Sequence, residues 1–236
     1  MSGHLYLVAT PIGNLKDISL RAIETLKTVD AIIVESTDTA QKLLSHYQIK
    51  KPLIHLSDEN QLMVLPKIID ALTQGKNLAL ISDAGMPTIS DPGQFLVKKI
   101  IEKNIKVIPI PGASAITTAL VASGLLTEPF FFIGFLPKKE TELRQLIKNL
   151  AEIKINKKPP TIIAFESPNR LIKTVEVFLD ETNNHCQMVV ARELTKIYEE
   201  FIRGTPQTVL DELKKRPSIK GEITLLISFG HTNMPG

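Results

Sequence analysis

The chain has 236 residues, 43% hydrophobic and 22% charged, with a formal net charge of +3. This suits one large or two small globular domains and excludes a disordered chain or a polycation. The single cysteine, Cys186, excludes an intrachain disulfide and, just before Met188-Val189-Val190, reads as a buried, inert thiol.

Leu5–Val8 reads as the first strand and runs into Thr10-Pro11-Ile12-Gly13-Asn14. Ser19–Val29 sets Leu20, Ile23 and Leu26 three apart on one helical face, with Asp17 or Ser19 as its cap. Strands follow at Ala31–Glu35, Leu53–Leu56, Leu78–Ser82 and Val107–Ile110. Helices fall between them at Thr39–His46, Leu62–Gln74 and Gly93–Lys103. Such alternation with short connections predicts a mostly parallel sheet covered on both faces.

The pattern then changes. Ala113–Ser123 reads as a small-residue helix and Phe130–Gly134 as a strand. Glu140–Ala151 is amphipathic, with Leu143, Leu146, Ile147 and Leu150 at helical spacing. Lys154–Pro160 is a basic loop. Strands are expected at Thr161–Phe165, Gln187–Ala191, Glu200–Arg203 and Glu222–Phe229, and helices at Asn169–Leu179 and Thr208–Lys214. The last strands succeed one another through short connections, which predicts an antiparallel or mixed sheet. The whole reads as two α/β domains, 1–112 and 113–236. No apolar run approaches a membrane span, and the N-terminus lacks the basic start and apolar core of a signal peptide. A soluble, cytoplasmic protein is expected.

Three strand exits are alike: the turn after Val8, Ser82-Asp83-Ala84-Gly85, and Pro111-Gly112-Ala113-Ser114. All are built of small residues, Gly and Pro. Ligands of open α/β sheets sit outside the carboxyl ends of the strands, and small side chains let a polar cofactor approach the backbone. The three turns therefore predict one pocket walled by main chain. Taken singly, each is equally an ordinary tight βα turn. Neither a Gly-x-Gly-x-x-Gly fingerprint nor a phosphate loop occurs, and no Gly-x-Ser-x-Gly elbow. The five histidines (His4, His46, His55, His185, His231) lack metal-ligand spacing. Charged groups gather at strand ends: Glu35, Asp83, Glu166 with Arg170, Arg192-Glu193 with Lys196, and Lys220 with Glu222. Each is readable as a structural ion pair; together they favour an enzyme.

Charge is otherwise even, with 12 basic and 11 acidic residues up to Gly112 and 16 and 14 beyond it. Pro137–Pro160 departs from this. It holds Lys138, Lys139, Arg144, Lys148, Lys154, Lys157 and Lys158 against Glu140, Glu142 and Glu152. Such a window is either a solvated helix face or a patch that meets phosphates.

TPIGNLKDIS, SDAGMPTISDPG, PIPGASAITTAL, GFLPKK, FESPNRL and RELTKIYEEFIRG, in this order, resemble the tetrapyrrole-methylase superfamily. The likeness runs from Leu5 to about Ile227 and is nearest the ribosomal RNA small-subunit methyltransferase I group. The resemblance implies two α/β domains, a homodimer, and S-adenosylmethionine held in the cleft between the domains. It implies methylation of the ribose 2′-hydroxyl of a cytidine in 16S rRNA or the small ribosomal subunit. More distant relatives methylate tetrapyrrole carbons. The alternatives are a diverged paralogue acting on another RNA site or a tetrapyrrole, and a non-catalytic RNA-binding relative. Carried over by motif, Pro11, then Asp83, Ala84, Gly85 and Pro87, then Pro111, Gly112 and Ala115 fall at cofactor turns. Gly134 and Phe135, Arg192, Glu193 and Leu194, and Lys220, Gly221 and Glu222 fall at second-domain cleft motifs. A ribose hydroxyl is a very weak acid, so a base or a cation should assist its attack. Asp83, Glu193 or Glu35 is the candidate base, and Lys196 or Arg192 the cation. Lys138, Lys139, Lys157 and Lys158 are the candidate RNA contacts. No metal is expected. Two loops depart from the family pattern. Glu35-Ser36-Thr37-Asp38 stands where the family has Glu-Asp-Thr-Arg, and Glu59-Asn60 where it has His-Asn.

Overall fold

The structure, a computed structural model, describes residues 2–230. The chain divides into two compact units, Met1–Ser114 and Ala115–Gly236. The first contains β1 (Leu5–Val8), α1 (Leu20–Thr28), β2 (Ala31–Val34), α2 (Thr37–His46), β3 (Leu53–His55), α3 (Gln61–Thr73), β4 (Leu78–Leu80), α4 (Gln94–Glu102) and β5 (Val107–Ile110). Its strands form one all-parallel sheet in the order β3-β2-β4-β1-β5.

Period-two alternation explains why this sheet needs two covers. Val8, Ile32, Val34 and Ala79 point to one face, where Ala22 and Leu26 of α1 and Ala40 and Leu44 of α2 pack on them. Leu5, Ile33, Leu78 and Leu80 point to the other, against Ile68 and Leu72 of α3 and Leu96 and Ile100 of α4. The chain moves outward along the sheet from β1 to β2 to β3, then returns to β4 and crosses to β5. Right-handed crossovers in opposite directions put their helices on opposite faces. Adjacent strands β1 and β4 thus send their exits to opposite sides, the arrangement that opens a crevice at the carboxyl end of a sheet.

The second unit contains α5 (Ala115–Ser123), β6 (Phe130–Phe135), α6 (Glu140–Ala151), β7 (Thr161–Glu166), α7 (Leu171–Thr182), β8 (Gln187–Arg192), β9 (Glu200–Gly204), α8 (Pro206–Lys214) and β10 (Ile223–Ser228). Its sheet is mixed, in the order β6-β7-β10-β8-β9, with only β6 and β7 parallel. Leu143 and Ile147 of α6, Val175 and Phe178 of α7 and Leu213 of α8 bury one sheet face, including Ile162, Val190 and Leu225. The Arg203 guanidinium closes the end of α5 by donating to the carbonyls of Ala122 (2.6 Å) and Ser123 (3.1 Å).

Helix starts moved where capping chemistry decides them. Ser19, not Asp17, caps α1 by accepting from Ala22 N–H at 3.1 Å. α2 starts at Thr37 rather than Thr39 because the Ser36 hydroxyl accepts from Thr39 N–H. α8 starts at Pro206 rather than Thr208, because Thr205 caps it and proline suits the first helical position. α7 runs from Leu171 to Thr182, beyond the expected Leu179, and ends where Asn183 turns left-handed. No helix among the described residues is long and apolar enough to cross a membrane.

The two leucines at the ends of the α1 stripe make a direct test of this packing. Leu26 is fully buried and Leu20 is 79% exposed. Leu26→Ala is expected to cost about 2–5 kcal/mol in urea unfolding, and Leu20→Ala to stay within about 0.5 kcal/mol. Equal losses would show that the helix is oriented otherwise.

Candidate active site

The three Gly- and Pro-rich corners meet at the carboxyl end of the parallel sheet. Thr10 N–H donates to the Gly85 carbonyl at 2.9 Å, and Gly85 N–H donates back to the Thr10 carbonyl at 3.1 Å. The Thr10 hydroxyl also donates to the Ser82 carbonyl at 3.1 Å, and the Ser82 hydroxyl to the Gly85 carbonyl at 3.1 Å. Both hydroxyls are buried with their partners. Gly85 adopts a φ of +81°, which a side chain would strain. The third corner closes on the first: a Cβ on Gly112 would lie 2.8 Å from the Ala9 Cβ. Glycine is required there because the Ala9 methyl already fills the space a side chain would take.

This clip leaves donors outside it. Asp83, Ala84, Pro111 and Gly112 are exposed, whereas Pro11, Gly85 and Pro87 are buried. Among the described residues, the N–H groups of Asp83, Ala84 and Gly112 have no protein acceptor. Open main-chain donors beside small side chains fit a polar ligand. The loop beyond is held in an uncommon conformation, with Thr88 at φ +73° and Ser90 at φ +66°.

Carboxylates crowd this end of the sheet. Burial raises the Glu35 pKa, and Asp83 and Asp58 push it further. Asp91 goes from the ordinary 3.8 to about 6, through burial first and then the charge of Glu35; the nearby Ser82 side chain offsets this in part. Sequence reading missed Asp91. Its position ahead of Pro92-Gly93 at the start of α4 marks it as a turn residue, and only folding brings it near Glu35. Asn60 is an organiser of its turn: its side chain accepts from Ser57 N–H at 2.8 Å and donates to the His55 carbonyl at 3.1 Å.

In the second unit the strand register puts Glu166, Ile223, Arg192 and Glu200 in one row across the sheet end. The buried Glu166 carboxylate accepts from Arg170 Nε (2.9 Å), Ser167 N–H (2.6 Å) and Thr174 Oγ1 (2.6 Å). Arg170 also donates to the carbonyls of Leu136 and Pro137. This group braces β6 against α7. Arg192 is committed likewise, to Glu200, to the Lys220 carbonyl (2.8 Å) and to the Tyr198 carbonyl (3.4 Å). Arg216 and Arg192 hold the Glu200 carboxyl down to about 2 against the opposing effect of burial.

Glu193 has a φ of +53°, and its side chain folds over Gly221. A Cβ on Gly221 would lie 2.4 Å from the Glu193 carboxyl carbon, and Gly221 itself has a φ of +96°. Glu193 Oε1 accepts from Lys196 Nζ at 2.7 Å and from Glu222 N–H at 3.0 Å. The Lys196 hydrogen bond, foremost, lowers the Glu193 pKa. Lys196 Nζ also donates to Glu222 Oε2 at 2.9 Å. Burial works against the Lys196 charge, yet the bonds to Glu193 and Glu222 raise its pKa. Leu194 is buried beside this cluster.

The structure thus brings Pro11, Glu35, Asp83, Ala84, Gly85, Pro87, Pro111 and Gly112 to one sheet end in the first unit. Gly134, Phe135, Arg192, Glu193, Lys196, Lys220, Gly221 and Glu222 share one sheet end in the second, while Ala115 opens α5. The basic window is divided. Lys138 and Lys139 follow β6 at that same end, but Lys157 and Lys158 precede β7 at the opposite one. Five residue steps of β7, about 17 Å, separate the two ends. Among the described residues no cluster of His, Cys, Asp and Glu forms a metal site, and His231 lies outside them.

Comparisons with known proteins bear on this arrangement. Residues 4–210 match the family model described as Tetrapyrrole (Corrin/Porphyrin) Methylases. A protein of Halalkalibacterium halodurans named ribosomal RNA small subunit methyltransferase I is 47% identical over 95% of this chain and 75% of its own. Those of Bacillus subtilis (46%, over 95% and 75%) and Synechocystis (47%, over 96% and 79%) carry the same name. Among solved structures, diphthine synthase superposes with a TM-score of 0.72 at 18% identity, over 96% of this chain and 90% of that one. Cobalt precorrin-4 methyltransferase gives 0.66 at 16%, over 94% of each. At those identities the likeness is one of fold.

Asp91 makes the crowding measurable. Its folded pKa exceeds its unfolded one, so its contribution favours folding below about pH 3.8 and is lost as pH rises through about 6. Asp91→Asn is therefore expected to stabilise the protein at pH 7.5 by about 1–2 kcal/mol, discounted for a half-exposed group, and to have no such effect near pH 4. Urea unfolding at both pH values checks this; an equal effect at each would refute it.

Proposed function

The chain belongs to the tetrapyrrole methylase family, and on that premise we propose that it is an S-adenosylmethionine-dependent methyltransferase acting on the ribose 2′-hydroxyl of a cytidine in 16S rRNA. The observation that carries this reading is the Thr10–Gly85 clip. It gathers small-residue strand exits with open N–H donors, in a chain nearly half identical to proteins named for ribosomal RNA methylation. The proposal includes a cytoplasmic homodimer with the small ribosomal subunit or its RNA as substrate.

When bound, the cofactor supplies an electrophilic methyl group on a sulfonium sulfur. The main chain of Asp83, Ala84 and Gly112 would hold its polar groups, and Pro11 and Pro87 support those turns from within. The candidate proton-handling residues separate on electrostatic grounds. A carboxylate held ionised by a lysine and a backbone N–H is a weak base, which argues against Glu193 in that role. Glu193 instead orients Lys196, whose ammonium steadies a developing alkoxide. Glu35, kept partly desolvated beside Asp83 and Asp58, suits proton acceptance better. Arg192 and the Glu166–Arg170 pair are braces.

The departures from the family pattern have local physical reasons. Ser36 takes up the helix-capping role an aspartate would have, and Asp38 lies in the first turn of α2, where the helix dipole favours an acid. Asp38 nevertheless puts an exposed negative charge where the family has arginine, so the methylated nucleotide itself is a target of the test.

Mapping of ribose methylation in ribosomal RNA from cells with and without this gene is expected to differ at one cytidine of the small-subunit RNA; identical maps would overturn the assignment. In single-turnover assays, Lys196→Gln is expected to slow methyl transfer by about 10²-fold or more, and Glu193→Gln by less. The double variant should be no slower than Lys196→Gln alone, because Glu193 acts through Lys196. Additive losses would show independent roles.

A further inference from the structure

The turn at Ile155–Lys158 combines local strain with uncompensated charge. Ile155 N–H donates to the Lys158 carbonyl at 2.8 Å and Lys158 N–H to the Ile155 carbonyl at 2.9 Å, closing a two-residue hairpin. Both central residues are left-handed, Asn156 at φ +50° and Lys157 at φ +65°. A hairpin turn of this type favours Asn-Gly. Asparagine tolerates the conformation, but at the second position the chain carries a lysine where local energetics favour glycine. The base is firm: Pro160 is buried, and a Cβ on Gly230 would lie 2.6 Å from Pro159 Cγ. The turn is therefore a fixed projection.

Its charges differ from those of most of the basic window, where Lys138 alone is likewise exposed and outside any ion pair among the described residues. Lys139 pairs with Glu142, Arg144 with Glu140, Asp180 and Glu181, and Lys148 with Glu181. Lys154, Lys157 and Lys158 are exposed, and among the described residues none of them forms an ion pair. Between Ala151 and Pro160 only Glu152 opposes these three lysines, leaving a net +2. Meanwhile the loops at the carboxyl end of the first sheet carry Glu35, Asp38, Asp58, Glu59, Asp83 and Asp91 and no basic residue over 35–38, 57–59 and 83–91. These three loops disfavour phosphate contacts, and the loop after β1 adds one lysine, Lys16, beside Asp17.

We propose that the Lys154–Lys158 hairpin is a second anchor for the RNA sugar-phosphate backbone, about 17 Å along the second sheet from the Arg192–Glu222 end, gripping a flank of the substrate away from the reacting nucleotide. This rests on the reading that the substrate is RNA. Exposed lysines on a hydrogen-bonded turn can meet phosphates without base specificity.

Lys157→Gly gives the decisive test, because its two effects have opposite signs. It relieves the turn, raising Tm by about 2–4 °C, and removes one cation. Binding of small-subunit RNA, followed by fluorescence anisotropy against salt, should weaken several-fold at low salt. The slope of log K against log salt should fall by about 0.7–0.9. Lys157→Gln/Lys158→Gln should lower the slope by about twice that. Lys42→Gln, on α2 of the other unit, should leave it unchanged. Wild-type affinity and slope in both hairpin variants would overturn the anchor, even with methylation of RNA intact. No affinity of the wild-type protein for any RNA would instead remove the preceding functional reading. Weakened binding to assembled subunits with unaltered binding to naked RNA would assign the turn to a protein contact and overturn the proposal.

Discussion

The first unit depends on the paired hydrogen bonds between Thr10 and Gly85. Right-handed connections drive the exits of β1 and β4 toward opposite faces of the sheet, so the chain has every reason to splay there. Two main-chain bonds and the Thr10 hydroxyl hold the exits together, and the Ser82 hydroxyl shapes the β4 exit itself. The clip needs a residue at Gly85 that accepts positive φ, and it needs Gly112 to lie against Ala9. Small residues at three separate places in the chain thus serve one object, a floor of polypeptide whose outer N–H groups stay available. Main-chain donors of this kind can meet a polar ligand without a dinucleotide fingerprint.

The second unit builds its working end by another route. Its sheet end is a row of ion pairs, most of which are saturated. Glu166 accepts from four donors, two on Arg170, the Thr174 hydroxyl and the Ser167 N–H, and Glu200 has two arginines. Such groups fix strand ends and helix starts and have no remaining capacity for chemistry. The exception is Lys196, half-exposed between Glu193 and Glu222. Its setting is costly, since two positive-φ positions that are not glycine, Glu193 and Thr195, and one obligatory glycine, Gly221, are spent to hold it. Conformational strain of this kind persists where a side chain must be aimed.

The charge distribution links the two halves of the functional reading. An acidic rim lies beside the clip. The basic window lies in the second unit, and its lysines are not contiguous. The window that looks like a single basic patch along the chain is carried by α6 from one end of the sheet to the other, so its lysines belong to two places.

Much of this was legible from the residues alone. Hydrophobic periodicity determined nearly every element, and the family motifs named the turns that matter, because both are local properties of the chain. Helix starts such as Thr205-Pro206 were misjudged by a turn or less, since capping competes with periodicity over only a few atoms. What the sequence could not determine was which charged groups are free to act. Glu193 and Glu35 look equally plausible as bases in the linear chain; only the fold presses one against a lysine and Gly221 and leaves the other desolvated beside Asp83. Asp91 entered the site, and the two pairs of lysines parted, for the same reason. Electrostatic environment depends on through-space neighbours, several of them tens of residues away, such as Asp83 beside Glu35 and Glu222 beside Lys196, and these come together only once the chain has folded.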